Sequence, residues 1–219
     1  MGRPAWSYSA LNDFVNCPRA YHLKKTKAIP FVATDAITYG KKVHKALEVR
    51  LIDKVPLPDD LAGMEPMMQT IEASPGVKCA ETKYTLNEEF KPVTWFDKGA
   101  WVRGQTDVTI DNGKTVWVGD YKTGKRRPDS DQLMLFAALV MYHKPDADVV
   151  KTSFIWTKDK KVDSETYTRA NLSSVWQHFM PKITRLEQAF EKEQWPPHPT
   201  GLCGWCDATK AQCEFSRKE

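Results

Sequence analysis

An aspartate and a lysine at the end of an apolar run are the first residues in this sequence that could do chemistry. The run from Val116 reads Val-Trp-Val-Gly-Asp-Tyr-Lys and contains Asp120 and Lys122. Side chains alternate between the two faces of a strand, so these two share one face. A lone Asp-x-Lys is most often an ion pair on a solvated face, but buried charges are costly unless they are paired or bind a metal.

A third acid, Asp107, lies on the preceding β-rich run. The pair Asn112-Gly113 separates the two runs and predicts a two-residue type I′ turn, because both central residues of that turn need positive φ. With that turn, Asp107 faces Val118 and lies diagonal to Asp120 on the same face, at about 7–8 Å between backbones. Three charged groups on one face make the solvated ion pair the weaker interpretation.

These groups suit metal-dependent cleavage of phosphodiesters. Two carboxylates that lean toward each other can hold a divalent cation, which lowers the pKa of a bound water and neutralises charge at a phosphate. Asp107 and Asp120 would hold the cation, and the peptide carbonyl of Tyr121 would add an oxygen ligand. Lys122 would orient the attacking water or stabilise the developing charge.

Basic residues follow the acids directly. Lys125, Arg126 and Arg127 lie close to Lys122, as DNA-binding residues around a phosphate site would. A basic run alone is more often a solubilising loop, and the net charge of +4 permits nucleic-acid binding without requiring it. The stretch before Arg126 resembles the start of an ATP-binding P-loop, but Arg126 replaces the Ser or Thr that binds magnesium, which excludes ATP binding here.

A long helix is predicted upstream of the hairpin. Apolar residues at helical spacing run from Ala33 to Leu51 and place His44 on the inward face, with Gly40 one turn before it. Glycine inside a helix costs about 1 kcal/mol relative to alanine, which indicates a packing or access reason. A lone inward histidine is most often a core residue, and the functional interpretation is a metal ligand or phosphate contact.

Two more predicted elements flank the hairpin. Residues 79–90 read as a strand, and Glu81 on it is equally consistent with a place near the hairpin acids and with a solvated position. Residues 130–143 read as a buried helix that Ser130 caps, because the apolar run is too long for an ordinary strand. Gln132 opens that helix and would lie near the carboxylates.

The cysteines form a second candidate metal site. In a cytosolic chain, a C-x2-C-x6-C array with one distant cysteine favours metal over disulfides. Three thiolates of the array and a fourth from the N-terminal region would hold an iron–sulfur cluster or zinc, and His198 or His22 could replace that fourth ligand. The alternative is a tail with free thiols. Of the five cysteines, the four candidate ligands are Cys17, Cys203, Cys206 and Cys213, and the fifth is Cys79.

Length and composition predict one ordinary globular domain. The chain has 219 residues, of which 41% are hydrophobic and 27% charged, so we expect residues 1–219 to form a single domain. Residues 195–219 would form a cysteine-rich tail that packs with the N-terminal helices around Cys17. Neither a transmembrane run nor a signal peptide is present in the sequence, which favours a cytoplasmic protein of bacterial or viral type with no membrane partner.

Five stretches, taken in order, resemble motifs of the PD-(D/E)XK nuclease superfamily, in the branch of RecB-like exonucleases that includes CRISPR-associated RecB-like nucleases. Each motif is weak alone, but their order and spacing are specific. The resemblance covers nearly the whole chain. The stretches are SYSALNDFVNCPRAYHL, GKKVH ending in His44, GQTD ending in Asp107, GDYKTG with Asp120 and Lys122, and QLMLFA starting at Gln132.

The resemblance implies an α/β, restriction-endonuclease-like fold, in which helices flank a mixed central β-sheet and a cysteine-rich metal-binding extension follows. It implies Mg²⁺- or Mn²⁺-dependent cleavage of DNA from an end, with the cysteines holding a 4Fe–4S cluster as in some members. Glu81 would be an additional acid, and Gln132 would position Lys122 or DNA. Two departures are Phe136, where the family usually has tyrosine, and the x6 cysteine spacing.

The main hypothesis is therefore a DNA exonuclease in which His44 is a further metal ligand. A structure-selective endonuclease is the first alternative, because the sequence does not define the shape of the DNA channel. A catalytically silent DNA-binding or recombination module on the same fold is the second, and an iron–sulfur redox protein the third. A helicase, a recombinase or a single-strand-binding protein would be a fitting partner in recombination or repair.

Overall fold

The computed structural model describes residues 4–127 and 131–218. The chain forms two compact units. One is the continuous segment Ala33–Val175, and the other combines Met1–Val32 with Trp176–Glu219. Across the described residues, none of the helices has the length and apolar character needed to cross a membrane.

The unit Ala33–Val175 contains a five-stranded sheet in the order β1-β2-β3-β4-β5. Only the β3–β4 pair is parallel and the other three pairs are antiparallel, so the sheet is mixed, as predicted. Parallel neighbours need a crossover, and a helix supplies it between β3 and β4. The strands are β1 Val77–Leu86, β2 Val102–Asn112, β3 Thr115–Lys122, β4 Val149–Trp156 and β5 Lys161–Thr168.

The described residues form six α-helices. The predicted helix over residues 33–51 is confirmed as α3, and the predicted buried helix is confirmed as α5, although its Ser130 cap lies outside the described residues. Short 3-10 segments cover Asp59–Met64, Arg169–Asn171 and Gly201–Trp205. The α-helices are α1 Tyr8–Asn16, α2 Pro18–Lys25, α3 Asp35–Ile52, α4 Glu65–Ala73, α5 Asp131–His143 and α6 Leu172–Lys192.

The two faces of the sheet are covered by different helices. Leu47 of α3 belongs to a buried cluster with Ile110 of β2 and Tyr121 of β3. On the α5 side, Gly104 of β2 lets the helix approach closely, because a Cβ at this position would lie 2.5 Å from the Leu139 side chain. This close packing fixes α5, and with it the helix end that carries Gln132, against the sheet.

The β2–β3 turn lies one residue later than predicted. Asn112 pairs with Thr115, so the loop residues are Gly113 and Lys114 in place of Asn112 and Gly113. Gly113 has a φ of 71° as the first loop residue, which is the glycine position of a type II′ turn. Its amide also donates to the Asp111 carboxylate at 2.9 Å, which helps to fix this turn.

This shift corrects the predicted register. Val118 pairs with Thr109 and not with Asp107, so the predicted diagonal arrangement of the acids is wrong. The ladder between β2 and β3 ends at the pair Val108–Gly119, so Asp107 and Asp120 both lie just beyond its last backbone pair.

The second unit joins the two ends of the described chain. Ser7 caps α1, accepting from the Ala10 amide at 3.3 Å, and Cys17 lies at the junction of α1 and α2. The Arg19 guanidinium donates to the carbonyl oxygens of Trp195 at 2.9 Å and Gln212 at 3.0 Å. One arginine thereby connects α2 with two places in the C-terminal segment.

Candidate functional site

The site lies where the regular β2–β3 ladder ends. The last backbone pair joins Val108 to Gly119, and beyond it the Tyr121 amide donates to the Asp107 carboxylate at 2.7 Å. A side chain thus takes the place of a backbone acceptor. This hydrogen bond fixes one Asp107 oxygen and leaves the other, Oδ1, directed elsewhere.

Three potential metal ligands meet at this point. Nδ1 of His44 lies 3.1 Å from Oδ1 of Asp107, and ligand atoms of His44, Glu81 and Asp107 all lie within 4.8 Å of one another. All three side chains are half-buried. This contact confirms the prediction that α3 brings His44 to the acids. For Glu81 the sequence left open a place near the hairpin acids and a solvated place, and the structure has it near Asp107.

Glu81 reaches the cluster through an unusual backbone conformation. Its φ is 50°, in the left-handed region that non-glycine residues rarely adopt, although it lies within β1. Its neighbours Ala80 and Thr82 keep regular pairs with β2, so the distortion is local. Gln105 donates a short hydrogen bond to the Glu81 carboxylate. Strain of this kind clusters at functional sites, where surrounding contacts maintain it.

A second network adjoins the first. Nζ of Lys122 lies 2.6 Å from Oδ2 of Asp120, and Gln132 links both residues, accepting from Lys122 at 2.9 Å and donating to Oδ1 of Asp120 at 3.1 Å. Lys122 also lies over the Phe154 ring at 4.8 Å. The predicted proximity of Gln132 to the Asp-x-Lys pair is confirmed.

Burial, together with repulsion by Asp107, raises the pKa values of Glu81 and Asp120. Desolvation raises the pKa of Glu81, and the charge of Asp107 raises it further. Desolvation also raises the pKa of Asp120 to about 6, because attraction by Lys122 offsets burial only in part. Burial lowers the pKa of His44, but its hydrogen bond with Asp107 and the charge of that residue outweigh burial, so the pKa lies above its ordinary value.

The donor set fits a hard divalent cation. Carboxylate oxygens are the preferred ligands of Mg²⁺ and Mn²⁺, and an imidazole suits transition metals. Oδ2 of Asp120 is buried and lies 2.6 Å from Nζ of Lys122. A cation shared by the two networks would lower the raised pKa values of Glu81 and Asp120.

An open groove of about 840 Å³ leads to the cluster. Gly40 of α3 lines it, and a Cβ there would lie 3.2 Å from the hydroxyl of Thr123, so glycine keeps the groove open. Lys41 and Lys45 line the same groove together with His44. Cations beside a metal-ligand cluster are suited to a phosphate-containing substrate.

The predicted basic residues differ in their surroundings. Arg126 forms a two-point ion pair with Asp163, whose carboxylate also accepts from the Trp156 indole at 2.7 Å. Lys125 and Arg127 are exposed. Arg126 is therefore held to β5, while its two neighbours extend into solvent.

Gln105 is the site residue that sequence reasoning did not assign. It lies two positions before Asp107 on β2, so strand alternation alone places both side chains on one face. That signal was available. The hydrogen bond to Glu81 was not predictable, because it depends on the distorted backbone of β1.

The four predicted cysteine ligands line one cavity in the unit formed by the chain ends. The cavity has an empty volume of about 340 Å³ and is lined by Cys17, Cys203, Cys206 and Cys213. The His198 amide lies 3.4 Å from the Cys17 sulfur and the Thr200 amide 3.3 Å from the Cys203 sulfur. Within the described parts of the chain, only the His44 cluster brings three ligand atoms within 4.8 Å of one another.

Comparison with known proteins identifies the fold. A crystal structure from Eubacterium rectale, described as a "Putative exonuclease", has a TM-score of 0.54 and 15% identity, covering 92% of this chain and 86% of that chain. The crystal structure of SSO0001 has a TM-score of 0.41 and 14% identity, covering 94% and 85% of the two chains, and no argument rests on it. Among curated proteins, none matches the sequence.

The family follows from a match along almost the full sequence. The family model described as the PD-(D/E)XK nuclease superfamily matches residues 5–214, which include both acidic networks and all four cysteines of the cavity. Members are nucleases that use divalent metal ions, in agreement with the ligand cluster of His44, Glu81 and Asp107. The chain belongs to the PD-(D/E)XK nuclease superfamily.

Proposed function

We propose that the protein is a metal-dependent DNA exonuclease of the RecB-like branch, acting in DNA recombination, repair or the processing of phage or CRISPR DNA. The observation that carries this proposal is the His44–Glu81–Asp107 cluster beside the Asp120–Lys122–Gln132 network. The exonuclease mode is supported by the sequence motifs and by the description of the similar Eubacterium rectale structure.

Each network has its own role in this proposal. His44, Glu81 and Asp107 hold Mg²⁺ or Mn²⁺, with Asp120 and the Tyr121 carbonyl completing the oxygen ligands. The bound ion supplies charge neutralisation at the scissile phosphate and an acidified water. Lys122, fixed through Nζ by Gln132, orients the attacking water by donating a hydrogen bond to it. Lys125 and Arg127 contact DNA phosphates. Arg126 contacts a phosphate only when its ion pair with Asp163 is broken.

Cleavage of end-labelled linear DNA and closed circular DNA tests the proposal. Reactions contain Mg²⁺, Mn²⁺ or EDTA and compare wild type with Lys122→Ala. Lys114→Ala is the matched control, since Lys114 is an exposed lysine in the β2–β3 turn that pairs with Asp148. We expect only linear DNA to be degraded, with no activity in EDTA and a loss of at least about 10²-fold in Lys122→Ala.

Other outcomes select the alternatives. Nicking of the circle would favour a structure-selective endonuclease. Failure to cut either DNA with either metal would contradict the nuclease proposal and leave a DNA-binding module on the same fold. Equal losses in the Lys122→Ala and Lys114→Ala variants would remove Lys122 from the mechanism.

We further propose that Cys17, Cys203, Cys206 and Cys213 hold an iron–sulfur cluster and that the tail of residues 195–219 packs around it within a single nuclease domain. All four thiols line one cavity, and amide groups lie next to two of the sulfurs. A zinc ion at about 2.3 Å from each thiolate needs sulfurs about 3.8 Å apart. Among the described residues no three of the four sulfurs lie within 4.8 Å of one another, and this spacing suits a cluster, which is several atoms across.

Iron and acid-labile sulfide in anaerobically purified protein test the cluster. Cys206→Ser should lose both, whereas Cys79→Ser, at an exposed cysteine on β1, should retain them. If the protein contains one equivalent of zinc and no iron, the cysteines form a zinc site and not a cluster. If freshly purified protein contains neither metal, the cysteines are free thiols.

A further inference from the structure

One face of the β1–β2 ribbon leads away from the metal-ligand cluster. Glu81 lies at the cluster, and the next residue on the same face of β1 is Lys83, which pairs with Gln105 of β2. Two residues before Gln105 on β2, and on the same face, Arg103 pairs with Thr85. Since a strand rises about 3.4 Å per residue, Lys83 and Arg103 lie about 7 and 14 Å from the Glu81 position along the ribbon.

An aromatic ring covers the two cations. Nζ of Lys83 lies 5.4 Å and Cζ of Arg103 lies 5.5 Å from the centre of the Trp95 ring. Both cations come from one face of the ribbon, and both lie within cation–π range of the same ring. Trp95 is partly exposed, and the adjacent Phe96 is 83% exposed.

The loop that carries these rings is well fixed. Asn87 accepts through its side chain from the Glu89 amide at 3.0 Å and the Lys91 amide at 2.8 Å, and the Val93 amide donates to Thr85 at 3.0 Å. At its far end, the Trp101 amide donates to the Leu86 carbonyl at 2.8 Å. A preorganised loop holds exposed aromatic rings in place without an ordering cost on binding.

The charges on this face are unbalanced. Within residues 4–127 and 131–218, neither Lys83 nor Arg103 has a carboxylate partner, and Nε of Arg103 makes no hydrogen bond. Glu81 and Asp107, which are acids on this face, belong to the metal-ligand cluster. Paired cations beside exposed aromatic rings match a nucleic-acid strand better than an apolar peptide, because a strand offers phosphates and stacking bases at regular intervals.

We propose that Lys83, Trp95, Phe96 and Arg103 form a single-strand platform that holds unpaired DNA next to the metal-ligand cluster. Trp95 and Phe96 stack on bases, and the two cations contact phosphates. Bases inside a duplex are stacked on each other, so an aromatic platform selects an unpaired tail. The inference rests on the proposed function only for the identity of the substrate as DNA.

Binding in EDTA tests the platform apart from cleavage. Fluorescence anisotropy compares a labelled duplex with a single-stranded tail and the same duplex with blunt ends. Trp95→Ala should weaken binding of the tailed DNA about tenfold and that of blunt DNA less than about twofold, as expected for one lost stacking contact. Trp95→Phe, which keeps a ring, should bind within about threefold of wild type.

The cations give an independent readout. Lys83→Ala should reduce the slope of log affinity against log salt concentration by about 0.7, the value for one phosphate contact on a single strand. Lys83 is exposed, so Lys83→Glu provides a second test if Trp95→Ala does not fold. Lys83→Glu should weaken binding of the tailed DNA at least about tenfold. Lys114→Ala, beyond the opposite end of β2, should change neither the slope nor the affinity.

Two outcomes would overturn the platform. Equal losses on tailed and blunt DNA would make this face a duplex contact, and an unchanged affinity and salt slope in both the Trp95 and Lys83 variants would leave it without a role in DNA binding. Either result leaves metal-dependent cleavage by wild type intact. Conversely, a protein that never cleaves DNA but loses tail binding in Trp95→Ala would contradict the nuclease proposal and retain the platform.

Discussion

Glu81 and Asp107 show how single residues set the properties of the site. Each carboxylate is half-buried, and burial together with the charge of Asp107 raises the pKa of Glu81. Glu81 also depends on a strained backbone with a φ of 50° and on a hydrogen bond from Gln105. Gln105 therefore acts as a positioning residue, which contacts the ligand cluster without being part of it.

Replacing Gln105 by leucine should weaken Mn²⁺ binding about tenfold, the usual effect of removing a group that orients a metal ligand. Isothermal titration of Mn²⁺ into wild type, Gln105→Leu and Glu81→Gln measures this effect, and Glu81→Gln should lose more. Glu89→Gln, at an exposed ion pair with Lys91, is the control. Unaltered affinity in Gln105→Leu would show that strand geometry alone positions Glu81.

Replacing Asp120 by asparagine should stabilise the protein at neutral and higher pH. The folded-state pKa is raised from 3.8 to about 6, so the folded state binds the proton more tightly than the unfolded state. Stability of wild type therefore falls as pH rises through the window from about 4 to about 6, and asparagine lacks this loss. We expect Asp120→Asn to melt about 4 °C higher near pH 8 in EDTA.

The difference between the two proteins should shrink toward zero near pH 4, where Asp120 becomes protonated in both folded and unfolded wild type. Thermal unfolding at both pH values measures it. A variant that melts lower than wild type near pH 8 would mean that the ion pair with Lys122 outweighs burial.

Sequence alone predicted the chemistry of individual residues better than their geometry. Alternation along β3 and the position of Gln132 at a helix start placed Asp120, Lys122 and Gln132 together, and the structure agrees. The near position of Glu81 remained open, because a left-handed residue within a strand has no signal in residue types. Local patterns report average backbone geometry, and functional strain departs from it.

At the scale of elements, the position of α5 depends on glycine in the strand beneath it. A Cβ on Gly104 would meet the Leu139 side chain at 2.5 Å and the Phe136 ring at 3.3 Å. The apolar run predicted the helix, but it could not predict this close approach. The dipeptide Asn112-Gly113 is also compatible with two loops, one formed by Asn112 and Gly113 and the other by Gly113 and Lys114. The prediction used the first loop and the structure has the second, so the predicted register was wrong.

Gly104→Ala should lower the free energy of unfolding by about 1–3 kcal/mol, because α5 must move away from β2. Urea denaturation measures the change. Gly63→Ala is the matched control, since an added Cβ there meets nothing within 4 Å. If the two variants were equally stable, side-chain rearrangement at Leu139 would be sufficient to absorb the methyl group.

At the scale of the whole molecule, the two compact units have different chain organisation. Every residue of the two acidic networks lies in the continuous segment Ala33–Val175, and the cysteine cavity lies in the unit built from Met1–Val32 and Trp176–Glu219. In the sequence, the family motifs place the acidic residues between Cys17 and the three C-terminal cysteines. They did not predict that Arg19 would connect the segments of the second unit through backbone carbonyls.

Arg19→Ala should make the second unit more sensitive to protease, because hydrogen bonds from a charged donor to Trp195 and Gln212 are lost, at about 1.5–3 kcal/mol each. Limited proteolysis followed by mass spectrometry measures where cutting begins. Arg185→Ala, on the exposed side of α6, is the control. Cuts that first appear within residues 33–175 would show that Arg19 does not limit the stability of this unit.

The second unit is built from two segments that are far apart in the sequence, and this has a consequence for its biosynthesis. Cys17 leaves the ribosome long before Cys213, and at about 5–20 residues per second the interval is on the order of 10–40 s. The continuous segment Ala33–Val175, which carries the acidic networks, emerges entirely within that interval and can fold first. The thiol cavity closes only after translation has passed Cys213. Binding of the proposed cluster there would therefore be a late step, because a nascent chain that stalls after Val175 has the acidic networks but lacks three of the four cysteines that line the cavity.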